Sequence, residues 1–280
     1  MPVLYVISDI TFFIIYHVVK YRRGVVHQNL VRSFPKKTRS DITVLEREFY
    51  SHFCDLVVES IKMFTLSMQE AQKRVTMVNP ELLDKYYEKG KSVLIVAGHY
   101  NSWEMGGAVF GHYVKHKTMG IYAPLSNKFF NDKFKETRGK FGLEMVSTKT
   151  VSQWFKDNTA VPTCILFGAD QSPTHSKTVY WTHFLNQETA VMIGTERFAK
   201  EYNYPVVFVY VSKLKRGYYQ LELKLLEENP AETAFGEISE KHTRWLENQI
   251  IDNPQYWLWT HKRWKRKRKE GELVDGTMKE

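Results

Sequence analysis

The chain has 280 residues, of which 43% are hydrophobic and 25% are charged, so it can bury a substantial core. This composition excludes a disordered chain, a collagen-like fibre and a polytopic membrane protein. The formal net charge of +9 favours acidic partners, namely nucleic acid, an anionic lipid surface or a negatively charged carrier protein. Cys54 and Cys164 have no metal-type spacing, which is typical of a reducing compartment or a bacterial cytoplasmic face.

The most apolar stretch is Val3 to Val19, which Ser8, Asp9 and His17 interrupt. It is near the lower length limit for crossing a bilayer, and the acidic residue inside it makes crossing unfavourable. It also lacks the basic start and the small-residue cleavage site of a secretory signal. We therefore predict a membrane-associated helix over residues 1–24 that lies in or dips into the membrane, although a buried amphipathic core helix has the same pattern.

Residues 25–270 are predicted to form one domain with two parts. The first part, 25–80, is mainly helical, because apolar residues recur at three- and four-residue spacing without Gly or Pro from Asp41 to Leu66. In the second part, 81–265, short apolar runs alternate with helical stretches, which predicts an α/β fold with a mostly parallel central sheet flanked by helices. The predicted strands are 92–97, 119–122, 160–167, 206–211 and 218–225, the last two as a hairpin, and the predicted helices are 102–114, 127–140, 151–157, 191–202 and 235–251.

The densest positive charge lies near the C-terminus, where every residue but one from Lys262 to Lys269 is Lys or Arg. Such runs bind nucleic acid or anionic membranes. The aromatic group just before it, Tyr256 to Trp259, favours a membrane interface. We interpret Trp257 to Lys265 as an interaction surface, because exposed tryptophans need a partner, and residues 271–280 as a flexible tail.

The turn after the first strand of the α/β part carries the residues best suited to chemistry. It reads Ala97-Gly-His-Tyr-Asn-Ser-Trp-Glu104, and ligands of open α/β sheets bind beyond the carboxyl ends of the strands. His99 is a candidate general base, and Glu104 could hold its imidazole in one tautomer. Since the chain has no G-x-S-x-G elbow, direct attack by a substrate hydroxyl is favoured, with His99 taking its proton. The spacing alone is equally compatible with a histidine hydrogen-bonded in a turn.

This turn resembles the H-x-x-x-x-(D/E) motif of the glycerolipid acyltransferase superfamily. Its surroundings resemble the late acyltransferases of lipid A biosynthesis, the lauroyl and myristoyl enzymes, over nearly the whole chain and in the family's order. The similar stretches are Tyr21-Arg-Arg-Gly-Val-Val-His-Gln-Asn-Leu30, Ser33-Phe-Pro35, Gly98-His-Tyr-Asn-Ser-Trp-Glu104, Tyr122-Ala-Pro124, Ala169-Asp-Gln-Ser172 and Pro254-Gln-Tyr-Trp-Leu-Trp-Thr-His-Lys-Arg-Trp-Lys265. Ala123 is a departure, because the family often has a basic residue there, and one phosphate contact is lost with it.

The resemblance implies an enzyme on the cytoplasmic face of the bacterial inner membrane. It would move a fatty acyl group from acyl carrier protein to a hydroxyl of an acylated lipid A precursor, and this thioester chemistry requires no cofactor and no metal ion. His99 is implied as the general base and Glu104 as its orienting partner. Arg138 falls where the family places an arginine that engages phosphate or developing negative charge, although an exposed charge on a helix is equally compatible with its position.

Three further residues are expected to contact the substrate. Asn101 lies in the same turn as His99. Asp170 and Gln171 follow a predicted strand and should therefore face the same crevice, where we expect them to shape the site.

Besides a hydrolase that would use the same histidine, two other functions are compatible with the sequence. The first is an acyltransferase acting on a lysophospholipid or an amino-acid-based lipid, which would keep His99 and Glu104 and change only the acceptor. The second is a non-enzymatic module that binds anionic membranes or nucleic acid through Lys262 to Lys269, with strong salt dependence and indifference to His99. The enzymatic interpretation, which we favour, expects acyl carrier protein and an anionic membrane as partners and no nucleic acid.

Overall fold

The computed structural model describes residues 2–173, 176 and 178–275. Its strands form one seven-stranded sheet and a separate two-stranded hairpin. In chain order the strands are β1 (Val75–Met77), β2 (Val93–Ala97), β3 (Lys117–Tyr122), β4 (Leu143–Ser147), β5 (Thr163–Gly168), β6 (Val179–Phe184), β7 (Gln187–Met192), β8 (Val206–Lys215) and β9 (Tyr218–Glu227).

Helices pack against this sheet from both ends of the chain and from the connections between strands. They are α1 (Pro2–Phe13), α2 (Arg23–Ser33), α3 (Arg39–Met63), α4 (Met68–Gln72), α5 (Asp84–Glu88), α6 (Trp103–Tyr113), α7 (Lys128–Gly139), α8 (Val151–Asp157), α9 (Gly194–Tyr202) and α10 (Glu237–Asp252), with a π-helical extension of α1 over Ile14–Val19.

The large sheet has the strand order β1-β9-β8-β2-β5-β3-β4. The strands from β8 to β4 are parallel, whereas β9 is antiparallel to β8 and β1 is parallel to β9. Its centre is β2, whose first four residues are buried because neighbouring strands and helices cover both of its faces. The predicted α/β fold with a mostly parallel sheet is therefore confirmed.

The structure adds strands that the sequence did not predict. Three residues of the part predicted to be helical form β1, which extends the sheet beside β9. The β6–β7 hairpin was missed because neither of its six-residue strands has an apolar run longer than three residues. The helix predicted from residue 191 begins at Gly194, because Val191 and Met192 still belong to β7.

Helix α1 and its π-helical extension turn one apolar face away from the protein, while Phe12, Ile15 and Tyr16 pack against the core. Eight side chains of the outward face recur at helical spacing and are between 45% and 74% exposed: Val3, Val6, Ile7, Ile10, Phe13, Ile14, Val18 and Val19. No single helix in the described residues is long and apolar enough to span a membrane, whereas residues 3–33 reach that length and composition only as two helices bent by 92°. Membrane association of residues 1–24 stays a prediction.

Residues 256–275, here called the C-terminal strap, bury their tryptophans in the protein itself. Trp257, Trp259 and Trp264 are each at most 7% exposed. Their rings pack on one another, with centroids 4.7 Å apart for the first two and 6.0 Å for Trp257 and Trp264. The interpretation of Trp257 to Lys265 as an external surface is therefore wrong for the tryptophans, because their partner is the folded core.

The basic run of the strap is divided between two roles. Its arginines form hydrogen bonds within the protein. Arg263 donates to the carbonyl of Ala190 at 2.8 Å, and Arg266 donates to the carbonyl of Pro173 at 3.1 Å. Arg268 donates to Glu188 at 3.2 Å. The lysines of the same run are exposed, and they are Lys262, Lys265, Lys267 and Lys269.

The end of the strap pairs with β6. The backbone N–H of Trp181 donates to the carbonyl of Val274 at 2.8 Å, and its indole donates to the buried carboxylate of Glu272 at 3.1 Å. The predicted flexible tail is therefore wrong for residues 271–275, and residues 276–280 lie outside the described residues.

Candidate active site

The two central strands β2 and β5 end side by side and place two polar side chains together. Ala97 at the end of β2 is paired with Gly168 at the end of β5, and His99 and Asp170 each follow two residues later. The backbone N–H of Ala169 continues the ladder by donating to the carbonyl of Ala97 at 3.1 Å. Since both strands run in the same direction, the two side chains meet at the carboxyl edge of the sheet.

Asp170 holds His99 through both its oxygens. The Nδ1 atom of His99 lies 2.5 Å from Oδ1 of Asp170, and the backbone N–H of His99 donates to Oδ2 at 2.8 Å. The indole N–H of Trp257 donates to the same Oδ2 at 2.7 Å. The carboxylate is only 3% exposed, so these bonds fix both its position and the orientation of the imidazole.

The pKa values of this pair shift in opposite directions. Burial alone would lower the pKa of His99, but the charge and hydrogen bond of Asp170 outweigh it and raise the pKa above its ordinary value of 6.5. Burial alone would raise the pKa of Asp170, but attraction to His99 and three donated hydrogen bonds hold it well below its usual range. Asp170 is therefore ionised at neutral pH and stabilises a proton on the imidazole.

The second ring nitrogen of His99 faces the opening of the site. The amide nitrogen of Gln171 lies 3.1 Å from Nε2, and because an amide nitrogen only donates, Nε2 accepts this bond. The neutral imidazole consequently carries its proton on Nδ1 and keeps a lone pair on Nε2. With its side chain 22% exposed, His99 is within reach of a substrate.

The carboxylate that orients His99 is Asp170, so the prediction that Glu104 plays this part is wrong. Glu104, in the first turn of α6, forms a two-pronged ion pair with Arg138 of α7. The guanidinium donates to its oxygens at 2.7, 2.8 and 3.0 Å. The motif therefore supplies the base, His99, and a carboxylate, Glu104, that holds Arg138. The side chains of Arg138 and Glu104 are only about one-fifth and one-quarter exposed.

Aromatic side chains extend from this ion pair. The ring of Trp103 lies 5.3 Å from the imidazole of His99, edge to face. On the other side, the guanidinium of Arg138 lies 5.6 Å from the ring of Phe134, which in turn packs 5.9 Å from Phe64 at the end of α3. An apolar surface thus leads away from His99 between α3 and α7.

Asn101 lies in the same turn but not at the surface of the site. It is 0% exposed, and its amide donates to the carbonyl of Val211 at 2.6 Å. Its backbone has a left-handed conformation (φ 51°), which asparagine tolerates better than most residues. The predicted substrate contact is therefore wrong, because this side chain secures the turn from inside.

Two glycines leave room for the side chains of His99 and Asp170. A Cβ atom on Gly98 would lie 2.6 Å from Leu246 of α10 and 3.3 Å from Oδ2 of Asp170. A Cβ atom on Gly168 would lie 3.0 Å from the imidazole carbon Cε1 of His99. Larger residues at either position would displace the imidazole or the carboxylate.

A model of the bacterial lipid A biosynthesis acyltransferase family matches residues 3–266, nearly the whole chain. The chain belongs to this family. The resemblance predicted from the sequence is thereby confirmed, and membership implies an acyltransferase with a lipid acceptor. Among curated proteins, none matches the chain.

In this lipid A biosynthesis acyltransferase, the C-terminal strap supplies two site residues that the sequence analysis did not assign. Trp257 bonds to Asp170, and the backbone of the strap bonds to the His99 turn through Leu258 N–H and the carbonyl of His99 at 3.2 Å. His261 accepts a bond from the backbone N–H of Ser172 at 3.0 Å, and burial lowers its pKa to about 4. Their only signal in the sequence was their place in the last stretch that resembles the family.

In the described part of this acyltransferase, no group of three or more His, Cys, Asp or Glu side chains is arranged to hold a metal ion.

Proposed function

We propose that this protein transfers a fatty acyl group from the thioester of acyl carrier protein to a hydroxyl of an acylated lipid A precursor. We place the reaction at the cytoplasmic face of the bacterial inner membrane. The observation that carries the proposal is the His99–Asp170 pair, which keeps Nε2 of His99 unprotonated and bonded only to the Gln171 amide, in a chain that belongs to this family.

His99 acts as the general base in this reaction. The acceptor hydroxyl replaces the Gln171 amide at Nε2 and gives up its proton as its oxygen attacks the thioester carbonyl carbon. Collapse of the tetrahedral intermediate breaks the carbon–sulfur bond, and the imidazolium returns the proton to the departing thiolate. Asp170 stabilises the imidazolium between these two steps, because its carboxylate is ionised and bonded to Nδ1.

Arg138 binds negative charge on the substrate. Its guanidinium is held in a fixed orientation by Glu104, so less conformational freedom is lost when it contacts a phosphate or a developing oxyanion. Glu104 in this arrangement orients the arginine, while its charge also favours the protonated form of His99.

The acyl chain follows the apolar surface beyond this ion pair. Trp103 lies next to the base, and Phe134 and Phe64 continue the surface between α7 and α3. Apolar contacts of this kind favour a fatty acyl chain, because each buried methylene contributes about 0.8 kcal/mol.

The carrier protein docks on the exposed lysines of the strap. Arg266 bonds to the carbonyls of Pro173 and Ser176, so the strap runs beside the loop that continues from Gln171. A lysine-rich surface at this place would meet an acidic carrier close to His99, and the net charge of +9 favours the same encounter.

The outward apolar face of α1 enters the membrane interface. An amphipathic helix lies in the interface plane with its apolar side toward the acyl chains, and its basic residues contact anionic headgroups. Lys20, which is exposed, follows directly after this face and would reach the headgroups.

The proposal is tested with purified full-length protein, acyl carrier protein thioesters of several chain lengths, and lipid extract that contains lipid A precursors. Mass spectrometry should find a new acyl group on the precursor, and His99→Ala should lower the rate by about 10²–10⁴-fold. His112→Ala is the matched control, because His112 is an exposed histidine on α6, the helix that follows the His99 turn.

An unchanged transfer rate in His99→Ala would contradict the mechanism. An acyl group found instead on a lysophospholipid or an amino-acid-based lipid would keep the base and replace the acceptor.

A further inference from the structure

Glu59 is a buried carboxylate of α3 that the acyl transfer mechanism does not use. It is 1% exposed and accepts hydrogen bonds from three hydroxyl groups. The donors are Tyr5 at 3.0 Å, Ser102 at 3.1 Å and Tyr219 at 3.0 and 3.1 Å. Burying a carboxylate is costly unless it is fully hydrogen-bonded, so each of these hydroxyls matters to the position of the others.

The three hydroxyls come from parts of the fold that are distant in sequence. Tyr5 belongs to α1, Tyr219 to β9, and Ser102 to the turn between His99 and α6. Glu59 therefore joins the N-terminal helix directly to the turn that carries the base.

The bond to Ser102 fixes one end of that turn. Ser102 occupies the N-terminal cap position of α6, yet its hydroxyl caps no backbone N–H because it is bonded to Glu59. The preceding Asn101 has a positive φ of 51°, a conformation that persists only where the surroundings hold it. Asp170 holds the other end through the backbone N–H of His99.

The turn between β8 and β9 is shaped to receive the hydroxyl of Tyr5. A Cβ atom on Gly217 would lie 1.8 Å from this oxygen, and Gly217 has a positive φ of 76°. Glycine is needed here for both reasons, since it alone leaves the space and adopts the backbone angle without strain.

Polar contacts hold the inner face of α1, whereas its apolar face points outward. Ser8 donates to Asp55 at 2.8 Å, and Arg216 bridges Asp9 and Asp55 at 2.6 Å each. A cavity of about 440 Å³, lined by Phe12 of α1 and by residues of α3 and β8, lies beside these contacts. The docking of α1 therefore rests mainly on polar contacts, which water can replace when the helix moves.

We propose that Glu59 is a positioning residue that couples the docking of α1 to the geometry of the His99 turn. This inference rests on the proposed acyl transfer and adds to it a dependence on the membrane helix. When α1 is docked, Tyr5 completes the hydrogen bonding of Glu59, and Glu59 holds Ser102. When α1 is lifted, the carboxylate loses one of its three donors and is free to shift, and the Ser102 end of the His99 turn shifts with it.

Two substitutions that remove single hydroxyls test this coupling in the full-length protein on lipid vesicles. We expect Ser102→Ala to lower kcat by about tenfold and Tyr5→Phe by about threefold, with KM for the acyl carrier protein thioester unchanged. The double variant should be no slower than Ser102→Ala, because both hydroxyls act through Glu59. Tyr113→Phe is the control: it removes a hydroxyl that donates to the carbonyl of Val75 at 2.5 Å, at the far end of α6.

A second measurement reports the geometry without activity. The proton between Nδ1 of His99 and Asp170 should give a far-downfield proton resonance, which Tyr5→Phe and Ser102→Ala should shift or broaden and Tyr113→Phe should not. If both variants keep kcat within twofold and keep this resonance while their melting temperatures fall as in Tyr113→Phe, Glu59 is structural only and the inference is overturned. If the wild-type protein adds no acyl group to any lipid, the proposed function fails, whereas the resonance continues to decide the coupling.

Discussion

The two ends of this chain have similar signals in the sequence and opposite roles in the fold. Helix α1 bonds to the protein through polar side chains such as Ser8 and exposes an apolar face that includes Ile10. The C-terminal strap buries its tryptophans together with an arginine, as Trp257 and Arg263 show, and exposes its lysines. Both ends were predicted to meet a membrane, yet only α1 presents an apolar face for one.

An aromatic and basic stretch therefore indicates that a partner is needed, but it does not indicate whether that partner is a membrane or the protein's own core. The strap finds its partner in the protein, because the planar guanidinium bonds carbonyl and carboxylate groups of the β6–β7 region, as Arg263 and Arg268 do. Lysines are more strongly hydrated and stay outside. Four of the seven basic residues from Lys262 to Lys269, all of them lysines, are therefore left for an external partner.

The largest effect is expected where the strap reaches the active site, at Asp170. Asp170→Asn should lower kcat by about 10²–10⁴-fold, because the imidazolium loses its stabilising charge. The pKa of His99 is raised by this carboxylate, and the reaction needs the unprotonated base, so the rate should rise with pH through that raised pKa. Without the charge the pKa of His99 falls, and the acidic limb of the pH–rate profile should move to lower pH.

The measurement is kcat against pH for the wild type and for Asp170→Asn, with Asp157→Asn, an exposed aspartate on α8, as the control. A profile that stays in place after Asp170→Asn would show that the carboxylate does not set the pKa of the base.

The second prediction compares an inner arginine with an outer lysine of the strap. Arg263→Ala leaves a cavity and an unbonded carbonyl at Ala190, and we expect it to lower the free energy of unfolding by about 2–4 kcal/mol. Lys262→Ala should change it by less than about 0.5 kcal/mol, because Lys262 is exposed. Urea unfolding followed by fluorescence measures both, and equal losses would mean that the strap is not divided in this way.

The sequence predicted those features that depend on local pattern and on the family motif. The apolar run of β2 and the His99 turn were found because both lie within one continuous stretch. The partner of His99 was not found, because it depends on β5 being the neighbour of β2 with Gly168 opposite Ala97, a register that no local pattern contains. Glu104 was assigned as the partner because it lies five residues after His99 in the motif, whereas in the fold it bonds to Arg138.

The third prediction tests the outer face of α1. Ile10 is 57% exposed, and Ile10→Glu should weaken partition to anionic vesicles by about 30-fold, because burial of such a side chain contributes about 2 kcal/mol. Val161→Glu is the control, since Val161 is similarly exposed and precedes β5 at the opposite edge of the sheet from His99. Cosedimentation with vesicles measures the partition, and an equal loss in both variants would indicate a charge effect without a specific face.

The smallest effect is expected from the outer face of the strap. Replacing Lys262, Lys265, Lys267 and Lys269 by alanine together should raise KM for the acyl carrier protein thioester by about three- to fivefold at low salt and less at high salt, because exposed charges act mainly on encounter. The value of kcat should not change, since none of the four contacts His99 or Asp170. If KM stays constant while partition to anionic vesicles falls, the lysines face lipid, and the two ends of the chain bind the same membrane by different chemistry.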